Sequence, residues 1–211
     1  MPPSPEFGAA FRAQLATLFL WRRDVRRFRP DPVSPALLQE LLDLAGSAPA
    51  VGLSQPWHFV AVDDPSRRAA VRANFAACNA RAQAEQPGSR AARYGALKLA
   101  GLDQAPVHLA VFADPAPLQG HGLGRQTMPE TTAYSAVLAV HTLWLAARAA
   151  GLGLGWVSIL DPQALAAALD VPSEWRFVAY LCLGAPEAEA DAPELEAEGW
   201  ERRRGASLLR R

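Results

Sequence analysis

The stretch Tyr134–Ala150 is what most restricts how this 211-residue chain can fold. It is apolar on most of its sides and stops at Gly151, the residue type that takes the left-handed turn closing a helix. A helix apolar nearly all round belongs inside a protein. With His141 and Arg148 within it, the stretch is too short and too polar to span a membrane. Other layers must therefore cover it. Strand-like runs lie on both sides in sequence: His58–Val62, Val107–Ala113, Trp156–Leu160 and Arg176–Leu183. Between them the spacing predicts helices over Phe11–Leu20, Ser34–Gly46, Pro65–Ala84, Arg90–Leu102 and Asp161–Leu169. Ser34-Pro35 and Asp161-Pro162 read as cap plus first-turn proline. The expected class is α/β: one domain over 1–211, a central mixed sheet covered by helices, and the long helix buried centrally. A flexible N-terminal arm (1–8) and a C-terminal arm (187–211) flank it. The second arm starts with an acidic, Ala-rich stretch, Glu187–Glu198, expected to be exposed, and turns basic from Trp200.

Charge narrows the function. Lysines plus arginines match aspartates plus glutamates at 21 each, so no global field draws the chain to nucleic acid or an anionic membrane. Any basic site must be local. One exists: Trp21-Arg22-Arg23-Asp24-Val25-Arg26-Arg27-Phe28 holds four guanidiniums around one carboxylate. Such charges repel unless an anion joins them, and the planar guanidinium fork matches phosphate oxygens in pairs. On the window alone, a solvated basic turn and an anion site are equally open. Asp24 either neutralises its arginines or serves as a proton-transfer group. Lys98 is the single lysine, so it marks either a place for a compact ammonium or a chance survivor.

Cys78 and Cys182 have no ligand-like spacing, and a reducing cytoplasm is the default compartment. The four histidines share no metal-ligand spacing either, and no metal is expected. Gly151-Leu152-Gly153-Leu154-Gly155 follows a helix and precedes the expected strand, the wrong order for a phosphate-cradling turn. Its glycines instead suit close approach of the backbone to something flat.

The Arg22–Arg26 block, followed about thirty residues later by Ala48–Trp57 with its Ser-Gln-Pro-Trp ending, resembles the flavin-binding signature of the nitroreductase superfamily. Three further stretches are similar to its flavin-consuming branch. These are Leu97-Lys98-Leu99 with Ala105-Pro106, Gly124–Pro129 leading to Tyr134-Ser135, and Leu143–Arg148 running to Gly155–Ile159. The resemblance covers roughly residues 18–203. It implies a nitroreductase-like fold and a homodimer with FMN at the subunit interface. It also implies that reduced FMN is a substrate, fragmented with O2 to 5,6-dimethylbenzimidazole and erythrose 4-phosphate. A separate flavin reductase would supply the reduced flavin. An NAD(P)H-dependent nitroreductase and a non-catalytic flavin-binding protein are the competing readings.

The same resemblance assigns roles. Arg22, Arg23 and Arg26 match the phosphate-and-flavin segment. Asp24 matches an essential aspartate, suited to general acid–base work, and Ser158 a second essential position on a strand. Ser54 and Gln55 are implied at the pyrimidine end of the ring, and Lys98 by the ring or the ribityl chain. Gly155 lets the backbone approach the ring. Arg203 matches a C-terminal position that reaches the flavin phosphate, with Arg202 and Arg204 as the alternatives one register step either side. Trp144 and Trp156 read as core.

Overall fold

The computed structural model describes residues 4–97 and 101–211. Three of its helices begin where a short acceptor precedes proline. Ser34 Oγ accepts from Leu37 N (3.2 Å) at α2 (Pro35–Gly46). Asp64 Oδ1 accepts from Ser66 N (2.7 Å) and Arg67 N (3.0 Å) at α3 (Pro65–Ala84). Asp161 Oδ1 does the same for Gln163 N (3.0 Å) and Ala164 N (2.9 Å) at α6 (Pro162–Leu169). Each proline occupies a first-turn position whose N–H would have no partner anyway. α1 spans Ala9–Trp21, α4 Ser89–Ala96, and α5 Thr131–Ala149. α5 closes as expected: Gly151 takes φ +76°, Leu152 N donates to Ala147 O (2.8 Å) and Gly151 N to Arg148 O (3.1 Å).

Four strands, β1 (Trp57–Ala61), β2 (Val107–Ala113), β3 (Gly153–Val157) and β4 (Arg176–Gly184), form one sheet in the order β1-β2-β4-β3. Every pair in it is antiparallel, so the sheet is not mixed as expected. Parallel pairing appears only where the basic segment joins the β3 edge through the Asp24–Leu154 bridge, with Val25 N donating to Leu154 O (3.1 Å). Period-two alternation divides the core. Leu109, Val111, Leu181, Leu183 and Leu154 pack towards α2 and α5 through Leu41, Val140 and Leu143. Ala110, Phe112, Tyr180, Cys182 and Val157 pack on the other face with Phe28, Val71 and Leu165 of the α3/α6 layer.

Three expectations need correction. Strand β3 is Gly153–Val157, not Trp156–Leu160, so two glycines of the Gly-Leu-Gly run are strand residues. A Cβ at Gly153 would stand 2.6 Å from Val25 Cγ2, and one at Gly155 would collide with the Val25 carbonyl oxygen. Close docking of the basic segment, not strand propensity, selects glycine there. The helix predicted from Arg90 ends at Ala96, because Leu97 takes extended backbone (ψ 130°). Finally, α5 is buried on one face only. Ala136, Ala139, Val140, Leu143 and Ala147 are covered, whereas Tyr134, Val137 and Leu138 are exposed. Exposed Phe11, Phe19, Leu20 and Trp21 of neighbouring α1 extend that apolar surface.

Candidate active site

The basic segment is placed by hydrogen bonds at both its ends. Beyond the Asp24–Leu154 bridge, Arg29 N donates to Ala185 O (2.8 Å) and Glu187 N to Arg27 O (3.1 Å). Phe28 is fully buried beneath it and anchors the turn. Asp24 therefore lies along β3: its Oδ1 accepts from Trp156 N (2.8 Å), and its Oδ2 faces Arg26 Nε at 3.4 Å. Burial raises the Asp24 carboxyl above the ordinary aspartate value; the Trp156 N–H and the Arg26 charge act against that rise and do not cancel it. The side chain nevertheless keeps 36% of its surface accessible, so the carboxylate has an open side. A carboxyl raised by burial and still reachable is suited to take and return a proton.

Of the three expected phosphate-binding arginines, Arg23 and Arg26 line one cavity and Arg22 does not. Arg26 has its side chain 8% accessible, beside Asp24. Arg23 turns towards the C-terminal arm: Nη1 donates to Arg22 O (2.7 Å) and Nη2 to Asp191 O, and Nε is buried with no partner. Arg22 instead lies over Trp144, with Cζ 4.7 Å from the ring centroid. Burial first, then repulsion from Arg203, pulls the Arg22 guanidinium below its usual value, and Arg203 acts on Arg23 in the same way. Arg22 and Arg203 thus repel each other as two like charges, a repulsion that an anion beside them would relieve.

Ser158 is exposed and lies just past the C-terminal end of β3, not on a strand as expected. It follows Trp156 by two positions, on the side of the sheet edge where Asp24 docks. The close approach made at Gly155 is to Val25. Lys98 lies outside the described residues.

Ser54 and Gln55 sit elsewhere. They lead into β1, the edge strand farthest from β3. Four inter-strand steps of about 4.8 Å put some 19 Å between that edge and the basic segment. Their loop is conformationally strained, with Gly52 at φ +56°, Leu53 at +56° and Gln55 at +43°. Gln55 Nε2 donates to Gly46 O (3.0 Å), and Gln55 Oε1 accepts from Gln119 Nε2 (3.0 Å). Ser54 Oγ is buried and has no partner. Among the described residues only Arg23 Nε and Ser54 Oγ are buried side-chain polar atoms lacking a partner, and both belong to residues expected to hold flavin. Native proteins leave few such atoms unpaired, so both fit a missing polar ligand.

Two features lay outside the sequence reading. Trp144, assigned to the core, also donates Nε1–H to Arg23 O (3.0 Å) and packs its ring 6.3 Å from that of Trp156. The acidic arm, expected to be free, straps the basic segment through Arg148–Glu189 (2.5 and 3.0 Å) and Arg27–Glu194 (3.1 Å). A cavity of about 410 Å³ lies between strap and segment, floored by Val25, Leu152 and Leu154. Only the alternation of acidic and basic runs in the sequence hinted at that contact. Among the described residues no group of three or more His, Cys, Asp or Glu side chains could hold a metal ion. Nor is any described helix long and apolar enough to cross a membrane.

Fold and site together define an α/β protein with a guanidinium-and-carboxylate cluster on one sheet edge and a separate polar loop at the other. The model of the Nitroreductase family matches residues 19–185, and the chain is an enzyme that belongs to that family. It is 57% identical over 211 residues, all of both chains, to the 5,6-dimethylbenzimidazole synthase of Rhodospirillum rubrum. It is 49% identical over 195 residues to a second protein of that name from Rhodobacter capsulatus, covering 92% of this chain and 94% of that one. The fold is that of oxidised iodotyrosine deiodinase, solved with FMN and 3-iodo-L-tyrosine: TM-score 0.73 at 24% identity, over 93% of this chain and 97% of that one.

Proposed function

We propose that this chain is a 5,6-dimethylbenzimidazole synthase, fragmenting reduced FMN with O2 to 5,6-dimethylbenzimidazole and erythrose 4-phosphate. The full-length 57% identity to a protein of that name carries the reading. The geometry supports it through Asp24, a carboxyl raised by burial, open on one side and fixed by the Trp156 N–H. FMN supplies the ring that is broken and, in its reduced form, the electrons passed to oxygen. The chain's part is to bind and move protons. Arg22 and Arg203 hold the phosphate, Arg26 sets the charge beside Asp24, Asp24 takes and returns protons at the ring, and the Ser158 hydroxyl donates or accepts at its edge.

The active unit is a homodimer. Ser54 and Gln55 stand about 19 Å from Asp24 across the sheet, so they serve a flavin at Asp24 only from a second copy. The exposed apolar faces of α1 and α5 supply the surface for that copy. A separate flavin reductase provides the reduced substrate, and the free thiols Cys78 and Cys182 suit the cytoplasm.

The test is anaerobic reduction of FMN with the protein present, followed by air. Loss of the isoalloxazine absorbance with matching 5,6-dimethylbenzimidazole is expected. Full return of oxidised FMN overturns the reading, and NAD(P)H consumed in repeated cycles would establish a retained-flavin reductase instead.

A further inference from the structure

Trp144 makes three contacts that meet at the basic segment. Its ring carries the Arg22 guanidinium 4.7 Å from the centroid. Its Nε1–H donates to the Arg23 carbonyl at 3.0 Å, holding the backbone one residue further on. Its ring also lies 6.3 Å from that of Trp156, the residue whose N–H fixes Asp24. The ring is half-buried at the edge of the α2/α5 core, where Leu152 and Leu154 already pack, so burial alone would be served by any large apolar side chain. Indole adds two properties that a leucine lacks: a π face that attracts a cation, and one N–H.

The two neighbouring arginines divide accordingly. Arg23 is engaged by the strap, through Asp191, and by its own backbone. Arg22 has no carboxylate of the described residues within 4.0 Å, and the charge of Arg203 repels its guanidinium. An arginine side chain has many rotamers, and immobilising one on binding costs conformational entropy. Stacking on Trp144 settles that orientation before any ligand arrives.

We infer that Trp144 is a positioning residue that presents Arg22 as the phosphate fork, so that Trp144 and Arg22, rather than Arg23, set selectivity for phosphorylated over unphosphorylated flavin. The inference rests on the proposed flavin site. Trp144 acts through Arg22 and the Arg23 carbonyl.

The experiment measures FMN and riboflavin affinity for the full-length dimer as wild type, Trp144→Phe and Trp144→Leu. A ring without N–H should lose about threefold in FMN affinity, and loss of both ring and N–H about tenfold or more. Riboflavin affinity should stay within about twofold of wild type, because the phosphate is the group being read. Arg22→Ala should lower the FMN preference at least as far, and adding Trp144→Leu to it should lower that preference no further. Equal loss for both flavins, with a lowered thermal midpoint, makes Trp144 structural only and overturns the inference. An unchanged FMN-to-riboflavin ratio in both variants overturns it as well. Wild-type protein that binds FMN no better than riboflavin would defeat the phosphate site itself, a failure distinct from either of these.

Discussion

Two clusters of buried ionisable groups lie a few strands apart and are finished to different degrees. Behind the sheet, His108 Nε2–H donates to Ala105 O (3.1 Å), and His108 Nδ1 accepts from the Tyr180 hydroxyl (2.9 Å). A carbonyl can only accept, and that sets the histidine tautomer. Burial lowers His108 to about 4 and raises Tyr180, so both stay neutral with their ring nitrogens and hydroxyl paired. At the β3 edge the opposite holds. Asp24 has an open side, Arg23 Nε lacks a partner, and Arg22 is repelled by Arg203. Cys182, pushed up to about 12 mainly by burial and then by Asp24, pairs in register with both His108 and Gly155 and so lies between the clusters. The satisfied group holds strands together. The unfinished one is arranged around something the chain itself does not provide.

The largest expected effect is on the unfinished side. Asp24→Asn should keep the Trp156 N–H bond and bind FMN, yet lower 5,6-dimethylbenzimidazole formation by about 10²–10⁴. Since burial raises this carboxyl, the folded chain holds its proton more tightly than the unfolded one. The wild type therefore loses stability as pH rises through the raised value, and the variant should gain on it over that window. Unchanged product yield would make Asp24 another structural group like His108.

The satisfied cluster gives the next effect, with the sign reversed. His108 is lowered in the folded chain, so the unfolded chain takes up the proton first as pH falls. Stability is complete above about 6.5 and drains between there and about 4, by on the order of 3 kcal/mol. Urea midpoints should show this slope in wild type and lose it in His108→Gln, which should itself be weaker at neutral pH by about 1–3 kcal/mol. A slope that survives the substitution would mean the cluster is not the closed network described. Smaller again is Ser54→Ala. Removing a buried hydroxyl that lacks a partner should stabilise the ligand-free protein by about 1 kcal/mol while weakening FMN binding. Destabilisation would show that the hydroxyl is satisfied after all.

Much of this was legible in the residues. The Ser-Pro and Asp-Pro caps, the Gly151 stop and the alternating apolar runs all act locally, and the structure places α2, α3, α6, β2 and the end of α5 within a residue or so of expectation. The Arg22–Arg26 and Ser54-Gln55 motifs were visible as residue types in sequence. Their relation was not: only the strand order, set by non-local pairing, shows that they occupy opposite edges of one sheet. Strand β3 was displaced because its glycines answer to Val25, a residue about 130 positions earlier. Trp144 looked like core because nothing in its helical neighbours shows that a guanidinium will lie on its face. The acidic arm looked free because its partners are 40 to 170 positions away.

That arm offers the smallest effect and the sharpest contrast with the buried clusters. Arg148 and Glu189 meet through two hydrogen bonds, but Glu189 is half exposed, and exposed pairs contribute little once solvent screens them. Arg148 lowers the Glu189 carboxyl, so the pair helps above the ordinary Glu value and its help fades as pH falls through the lowered one. Glu189→Gln should cost a few tenths of a kcal/mol globally, too little to move the urea midpoint clearly. Locally it should matter more, because residues 187–198 have few buried contacts besides the pairs to Arg148 and Arg27 and the Arg23–Asp191 bond. Amide exchange across 187–198 should speed up severalfold in the variant at low ionic strength. The difference from wild type should vanish near 1 M salt, where the screening length falls to about 3 Å. Equal exchange at low salt would mean that the Glu187–Arg27 and Arg29–Ala185 backbone bonds hold the strap by themselves. In that case the strap is part of the finished structure, and the unfinished region contracts to Asp24, Arg22 and Arg203.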